Sequence, residues 1–310
     1  MCAKTENKYI GFDTSNYTTS VGVLTGAASY ICKKKPLPVP SGEKGLRQSD
    51  AVFLHVKALP ELIQELDLLN PIAVGASVSP RNTEGSYMPC FLPGLLAAKA
   101  VAGAAGVPFY GFSHQQGHIA SVLFAEGKED FIHRPFFAYH LSGGTMELLF
   151  VNGFDNIKIV SKTLDITAGQ LIDRVGVFLG LEFPCGAAME KLAGGISFKS
   201  KIKIARKEAD VCLSGYENAA RKIFDETSDA FETARFVQSA VLENIKNTIS
   251  YTMNKFGAYP VVFAGGVMSN QFLRESVKNI CEAYFAPPPL SSDNAVGIAY
   301  LAKLKTEGKL

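Results

Sequence analysis

Two of the five histidines in this 310-residue chain stand four apart, in His114-Gln115-Gln116-Gly117-His118. On an α-helix that spacing puts both imidazoles on one face, within reach of a shared metal ion. Two helix histidines with no ligand would be spaced the same way, so a third donor has to decide. Asp293, just ahead of the last helical segment, is either that donor or a helix N-cap. Gln115 stands where an H-E-x-x-H peptidase needs glutamate as general base, and an amide cannot take the proton, which speaks against peptidase chemistry.

Three small-residue turns could bring backbone N–H groups close to an anion. They are Thr14 to Thr19, Ser142-Gly143-Gly144-Thr145, and Gly265-Gly266 within AGGVMSN. Each also reads as an ordinary turn with no ligand. Nothing matches a P-loop or a strand-anchored G-x-G-x-x-G, so those two nucleotide folds have no support.

The elements that carry these residues are mixed. Tyr9 to Asp13 and Ser20 to Leu24 read as a hairpin, and Phe136 to Leu141 with Met146 to Val151 repeats it, which suggests a duplicated α/β lobe. Helical spacing covers Asp50 to Leu66, Gly94 to Ala105 and Ala295 to Lys305, and Val237, Val241, Ile245 and Ile249 mark another amphipathic helix. Strands are predicted at Ile72 to Val78 and Pro260 to Ala264, with a helix starting near Ser269. Residues 33–50, polar and rich in Pro and Gly, read as a surface loop.

Composition fits a well-buried globular protein, 47% hydrophobic and 19% charged, and the length favours two lobes. A net charge of +2 argues against a generally basic nucleic-acid protein and leaves room for a local patch. Six scattered cysteines without a C-x-x-C pair indicate reduced thiols, and the polar N-terminus shows no signal peptide, so a cytoplasmic protein with no membrane anchor is expected.

Taken in order, these segments resemble the TsaD family of tRNA threonylcarbamoyl transferases over almost the whole chain. GFDTSNYTTSVGV is similar to the family's G-I-E-T-S-C-D-E-T opening, SHQQGHIAS to its H-H-M-E-G-H-type segment and HLSGG to its V-S-G-G turn. DITAGQLIDRVGVFLGLEFPCGAAMEKLA, VVFAGGVMSNQFLRE and SSDNAVGIAY complete the likeness. It implies an α/β, two-lobed actin-like fold (ASKHA, RNase H-like duplicated) with its active site in the interlobe cleft. The first lobe would be 1–130 with helix 295–310 packed back on it, the second 131–294. His114, His118 and Asp293 would hold one divalent metal ion, iron or zinc. His140, Leu141, Ser142, Gly143, Gly144, Asp173, Gly186, Glu190 and Asn270 would bind an adenine nucleotide or threonylcarbamoyl-adenylate. No catalytic residue beyond the metal site stands out.

The implied reaction is acyl transfer to N6 of the adenosine beside the anticodon in tRNA, with TsaB- and TsaE-like partner proteins. Lys199, Lys201, Lys203, Arg206 and Lys207 form a basic stretch that could meet tRNA phosphates or simply be solvated. Some positions depart from the family: Asp13 replaces Glu, Asn16-Tyr17-Thr18 replaces Cys-Asp-Glu, Thr145 replaces His, Gln170 replaces Glu, and 79–90 replaces a Gly-rich stretch. Such changes suggest a divergent paralogue with an altered acyl pocket. They keep alternatives open: a carbamoyl transferase on another acceptor, similar to part of HypF, a non-catalytic TsaB-like subunit, or a sugar kinase of the same superfamily.

Overall fold

The computed structural model describes residues 7–15, 17–26, 29–38 and 46–310. Asn16 and residues 39–45 of the expected loop lie outside them. The chain folds as two compact units: residues up to His133 together with Pro289–Leu310, and Arg134–Pro288.

The first unit begins with an antiparallel meander, β1 (Lys8–Asp13), β2 (Thr18–Thr25) and β3 (Ser29–Pro36), followed by α1 (Gln48–Gln64), β4 (Pro71–Ser79) and α2 (Leu92–Ala105). Then come β5 (Phe109–Ser113) and α3 (His114–Ala125). The sheet order is β3-β2-β1-β4-β5, with β4 parallel to β1 and β5 parallel to β4. Ile10, Phe12, Val21, Val23, Val74 and Ala76 are buried against Leu59 and Leu62 of α1 and Ala98 and Ala102 of α2, a pleated apolar face covered by helices.

The expectation of a loop over 33–50 fails at its start, because Lys33, Lys34 and Lys35 belong to β3. This is an edge strand, where lysines keep the chain in the sheet and guard its open side. Lys33 pairs with Glu65 at 2.7 Å and Lys35 with Glu61, so charge ties the strand to the end of α1.

The second unit holds β6 (Phe136–Leu141), β7 (Met146–Val151), β8 (Ile157–Lys162), α4 (Ala168–Phe178) and α5 (Gly186–Ala193). There follow a two-residue ladder of β9 (Arg206–Lys207) and β10 (Asp210–Val211), α6 (Ser214–Thr227) and α7 (Ala230–Phe256). β11 (Val261–Ala264), α8 (Gln271–Lys278) and β12 (Ala283–Phe285) complete it. Its sheet runs β12-β11-β6-β7-β8, the order of the first sheet repeated: a meander whose first strand takes a parallel partner, which takes another. Val237, Val241, Ile245 and Ile249 of α7 face the core of Phe137, Tyr139, Leu141, Leu148 and Phe263.

The helix expected from Ser269 starts later. Gly266–Ser269 is a 3-10 turn, and Asn270 caps α8 by accepting from Leu273 N at 3.0 Å. After the short α9 (Pro288–Ser291), α10 (Val296–Thr306) belongs to the first unit and packs against α3 and β1. Gly297 allows the α3–α10 approach, since a Cβ there would lie 2.0 Å from Gly117 O.

Candidate active site

His114 is fixed by the start of its helix. Ser113 caps α3, its Oγ accepting from Gln116 N (3.2 Å) while Gln116 Oε1 accepts from Ser113 N (2.8 Å). This reciprocal box makes Gln116 a structural residue and sets His114 in the first turn. One turn on, His118 faces it, with ring centroids 4.3 Å apart and the two Nε2 atoms 2.9 Å apart. Phe91, delivered by the 79–90 segment's end, lies across His114 with centroids 6.4 Å apart.

The third group reaches them through the loop before α10. Asp293 Oδ1 is 3.5 Å from His114 Nε2 and 3.2 Å from His118 Nε2. That loop is pinned on both sides. Asn294 Oδ1 accepts from Ser121 Oγ of α3 (3.1 Å) and from Val296 N (3.0 Å), while Lys34 Nζ donates to Pro289 O (3.0 Å) and Ser292 Oγ (2.7 Å). Asp293 is not the helix cap, because α10 is preceded by Ala295 with no side-chain cap.

Asp13, noted in the sequence only as a departure, completes the cluster from the end of β1. It is 1% exposed; its Oδ1 accepts from Ser77 Oγ (2.6 Å) and Ser15 N (2.9 Å), and its Oδ2 lies 2.9 Å from His114 Nδ1. A proton on Nδ1 is therefore claimed by Asp13, and Nε2 is turned toward His118 and Asp293. Burial opposes a charge on His114, but the Asp13 carboxylate at Nδ1, with Asp293 at Nε2, overrides it and carries the imidazole up to about 10. Asp13 and Asp293 are also desolvated, and the histidines beside them hold both carboxyls below the usual range.

Within the cluster, His114, His118 and Asp293 offer ligand atoms that all lie within 4.8 Å of one another. An ion bonded to each at about 2.1 Å would leave donor-to-donor edges of roughly 3.0 Å (octahedral) to 3.4 Å (tetrahedral). The separations of 2.9, 3.2 and 3.5 Å fit that size, and two imidazoles plus one carboxylate suit iron or zinc with coordination positions to spare.

In the second unit, Gly186, Glu190 and Asn270 come together in the lining of one pocket, beside Ile172, Met189 and Gln238. Asp173 stands next to it rather than in its lining: Oδ1 accepts from Cys185 N at 2.8 Å, and burial, only partly offset by this bond, raises its carboxyl. The 140–144 segment forms a separate turn. His140 and Leu141 end β6, Ser142 Oγ accepts from Thr145 N (3.0 Å) and Gly144 N (3.3 Å), and Gly143 O accepts from Thr167 Oγ1 (2.9 Å).

Gln170 takes part in a helix cap. It sits at the third position of α4, where Oε1 accepts from Thr167 N (3.2 Å) and its own N donates to Thr167 Oγ1 (3.1 Å). A capping box takes Glu or Gln alike, so this departure leaves the local structure intact. In the basic stretch, Lys199, Lys201, Lys203, Arg206 and Lys207 are exposed while Ile202 is buried, and Arg206 lies over the Tyr251 ring at 4.8 Å. Among the described residues no helix is long and apolar enough to cross a membrane.

Solved structures share this architecture. HypF from T. kodakarensis aligns over 99% of this chain and 49% of its own at a TM-score of 0.61 and 14% identity. A ROK family glucokinase from Streptomyces griseus, solved with glucose and AMPPNP, aligns over 96% and 99% at 0.53 and 11%. At such identities the likeness concerns the fold alone, an actin-like α/β fold in which a five-stranded sheet occurs twice. The sequence goes further. The model of the family TsaD, tRNA N6-adenosine threonylcarbamoyltransferase, matches residues 85–300. Proteins of that name from Rhizobium etli (strain CIAT 652) and Dictyoglomus turgidum are each 30% identical to it. The first covers 81% of this chain and 74% of the relative, the second 94% and 91%. The chain belongs to the TsaD family of transferases.

Proposed function

We propose that this chain moves a threonylcarbamoyl group from threonylcarbamoyl-adenylate to N6 of the adenosine beside the anticodon in tRNA, assisted by a divalent metal ion held by His114, His118 and Asp293. The observation that carries this reading is the convergence of His114 Nε2, His118 Nε2 and Asp293 Oδ1 within 4.8 Å in a member of a transferase family. Held by these three residues, an ion would supply Lewis-acid chemistry for acyl transfer. Asp13 holds the His114 ring so that Nε2 is the donor, and Asn294 and Lys34 hold the Asp293 loop in register.

In the second unit, the small-residue turn of His140, Leu141, Ser142, Gly143 and Gly144 would take the phosphate through its backbone N–H groups. Gly186, Glu190 and Asn270 would take the nucleoside, with Asp173 fixing the N-terminal end of α5. Glu190 Oε1 already accepts from Gln271 N at 2.7 Å, which leaves its second oxygen to accept from a hydroxyl or amine donor. TsaB- and TsaE-like proteins are the proposed partners, and a separate synthase supplies the adenylate.

The test is a reconstituted reaction of the purified chain with those partners, threonylcarbamoyl-adenylate and tRNA, digested to nucleosides and read by mass spectrometry. The modified adenosine should form with this chain and be lost with His118→Ala. No product from the wild type beside an active control would refute the proposal.

A further inference from the structure

Gln238 is a buried amide with half of its hydrogen-bonding capacity unused. It lies on α7 in the lining of the pocket with Glu190 and Asn270, and it is 6% exposed. Its orientation follows from its neighbours. Asn270 Oδ1 is committed to the α8 cap through Leu273 N (3.0 Å), so Asn270 must turn its Nδ2 to Gln238, whose Oε1 accepts at 3.2 Å. The other end of Gln238, Nε2, is buried and meets no acceptor among the described residues. Such a donor is destabilising unless something accepts from it. Ile172, Met189, Val237 and Leu273 make the rest of the wall apolar, which suits the faces of a flat heteroaromatic ring.

We propose that Gln238 reads the purine base: Nε2 donates to a ring nitrogen of the adenine, while Oε1 positions Asn270 beside it. The inference rests on the pocket's being the nucleoside site of the adenylate. A ring nitrogen is an acceptor without a proton, so the amide selects for it and against a C–H at the same place.

Adenosine monophosphate serves as the probe, together with its 1-deaza, 3-deaza and 7-deaza analogues, titrated calorimetrically into the full chain. The wild type should bind one analogue about tenfold more weakly than AMP, a bond's worth of affinity. In Gln238→Met, AMP itself should drop to that level, and the deficit of that analogue should vanish. Gln238→Glu keeps an acceptor for Asn270 but loses the donor, so it should weaken AMP similarly. That separates base reading from a merely structural role, and it stands in for the Met variant should that one not fold. If the wild type binds AMP but no analogue's deficit depends on Gln238, the proposal is wrong and the pocket assignment survives. If the wild type binds no AMP, both are overturned.

Discussion

Asp13 and His114 lie 101 residues apart in the chain and 2.9 Å apart in the fold. A carboxylate on the far nitrogen of a metal-binding imidazole commonly sets affinity by 10- to 100-fold, so Asp13→Ala should lower the affinity for zinc by about that factor in a chelator competition. Asp13→Asn, which keeps an acceptor, should lose less; an unchanged affinity in both would remove Asp13 from the site. The two caps make a second residue-scale expectation. Thr167→Ala should cost about 1 kcal/mol in urea unfolding, while Gln170→Glu should shift it by no more than about 0.5 kcal/mol, since the box keeps its geometry. His114 and His118 were legible in the sequence because helical spacing is local. The S-x-x-Q and T-x-x-Q signatures of the caps were legible too, and would have assigned Gln116 and Gln170 to structure. Nothing local marked Asp13, whose role exists only because β1 ends beside α3's first turn, and Gln238 was equally hidden within an amphipathic helix.

Elements are held together by joints such as Asp165, between β8 and α4. Its Oδ1 accepts from Ile166 N (2.6 Å) and Leu213 N (2.7 Å), and its Oδ2 from Ser214 N (3.1 Å) and Ser214 Oγ (2.6 Å), which ties this loop to the start of α6. Partial burial acts to raise its pKa, but these donors win and hold the carboxyl below its ordinary value. A depressed carboxylate stabilises the fold above its unfolded pKa of about 3.9 and loses that contribution as the pH falls through the folded value. Asp165 is exposed, so solvent screening discounts its charge: Asp165→Asn should destabilise the protein by no more than about 1 kcal/mol at pH 7, with the gap to wild type closing below about pH 4 in urea titrations. A gap independent of pH would show that the charge is not what matters. Legibility at this scale was uneven. Apolar periodicity placed α1, α2 and α10 within a few residues and marked the middle of α7, but β3 was hidden by three consecutive lysines, whose reason is an edge position and the partners Glu61 and Glu65 on another element.

At the scale of the molecule, one sheet order is written twice, and the hairpins β1-β2 and β6-β7 announced it because strand, turn and strand are adjacent in sequence. Their parallel partners β4 and β11 arrive by crossover, so pairings such as Ile10 with Val74 or Tyr139 with Phe263 were not readable. The net charge of +2 is too small for a uniformly basic surface, so any tRNA contact must be local. If the exposed stretch provides it, reversing Lys199, Lys201 and Lys203 to Glu should weaken tRNA binding at least about tenfold and flatten its salt dependence; unchanged binding in filter assays would assign those lysines to solvent. The central claim concerns the cluster that β1, α3 and the loop before α10 bring together. Its most direct test is a crystal structure of the zinc- or iron-loaded protein with anomalous data at the metal's absorption edge. A single strong peak about 2.1 Å from His114 Nε2, His118 Nε2 and Asp293 Oδ1 is the expected result. A loaded protein whose anomalous peak lies elsewhere, or that shows none, would contradict it.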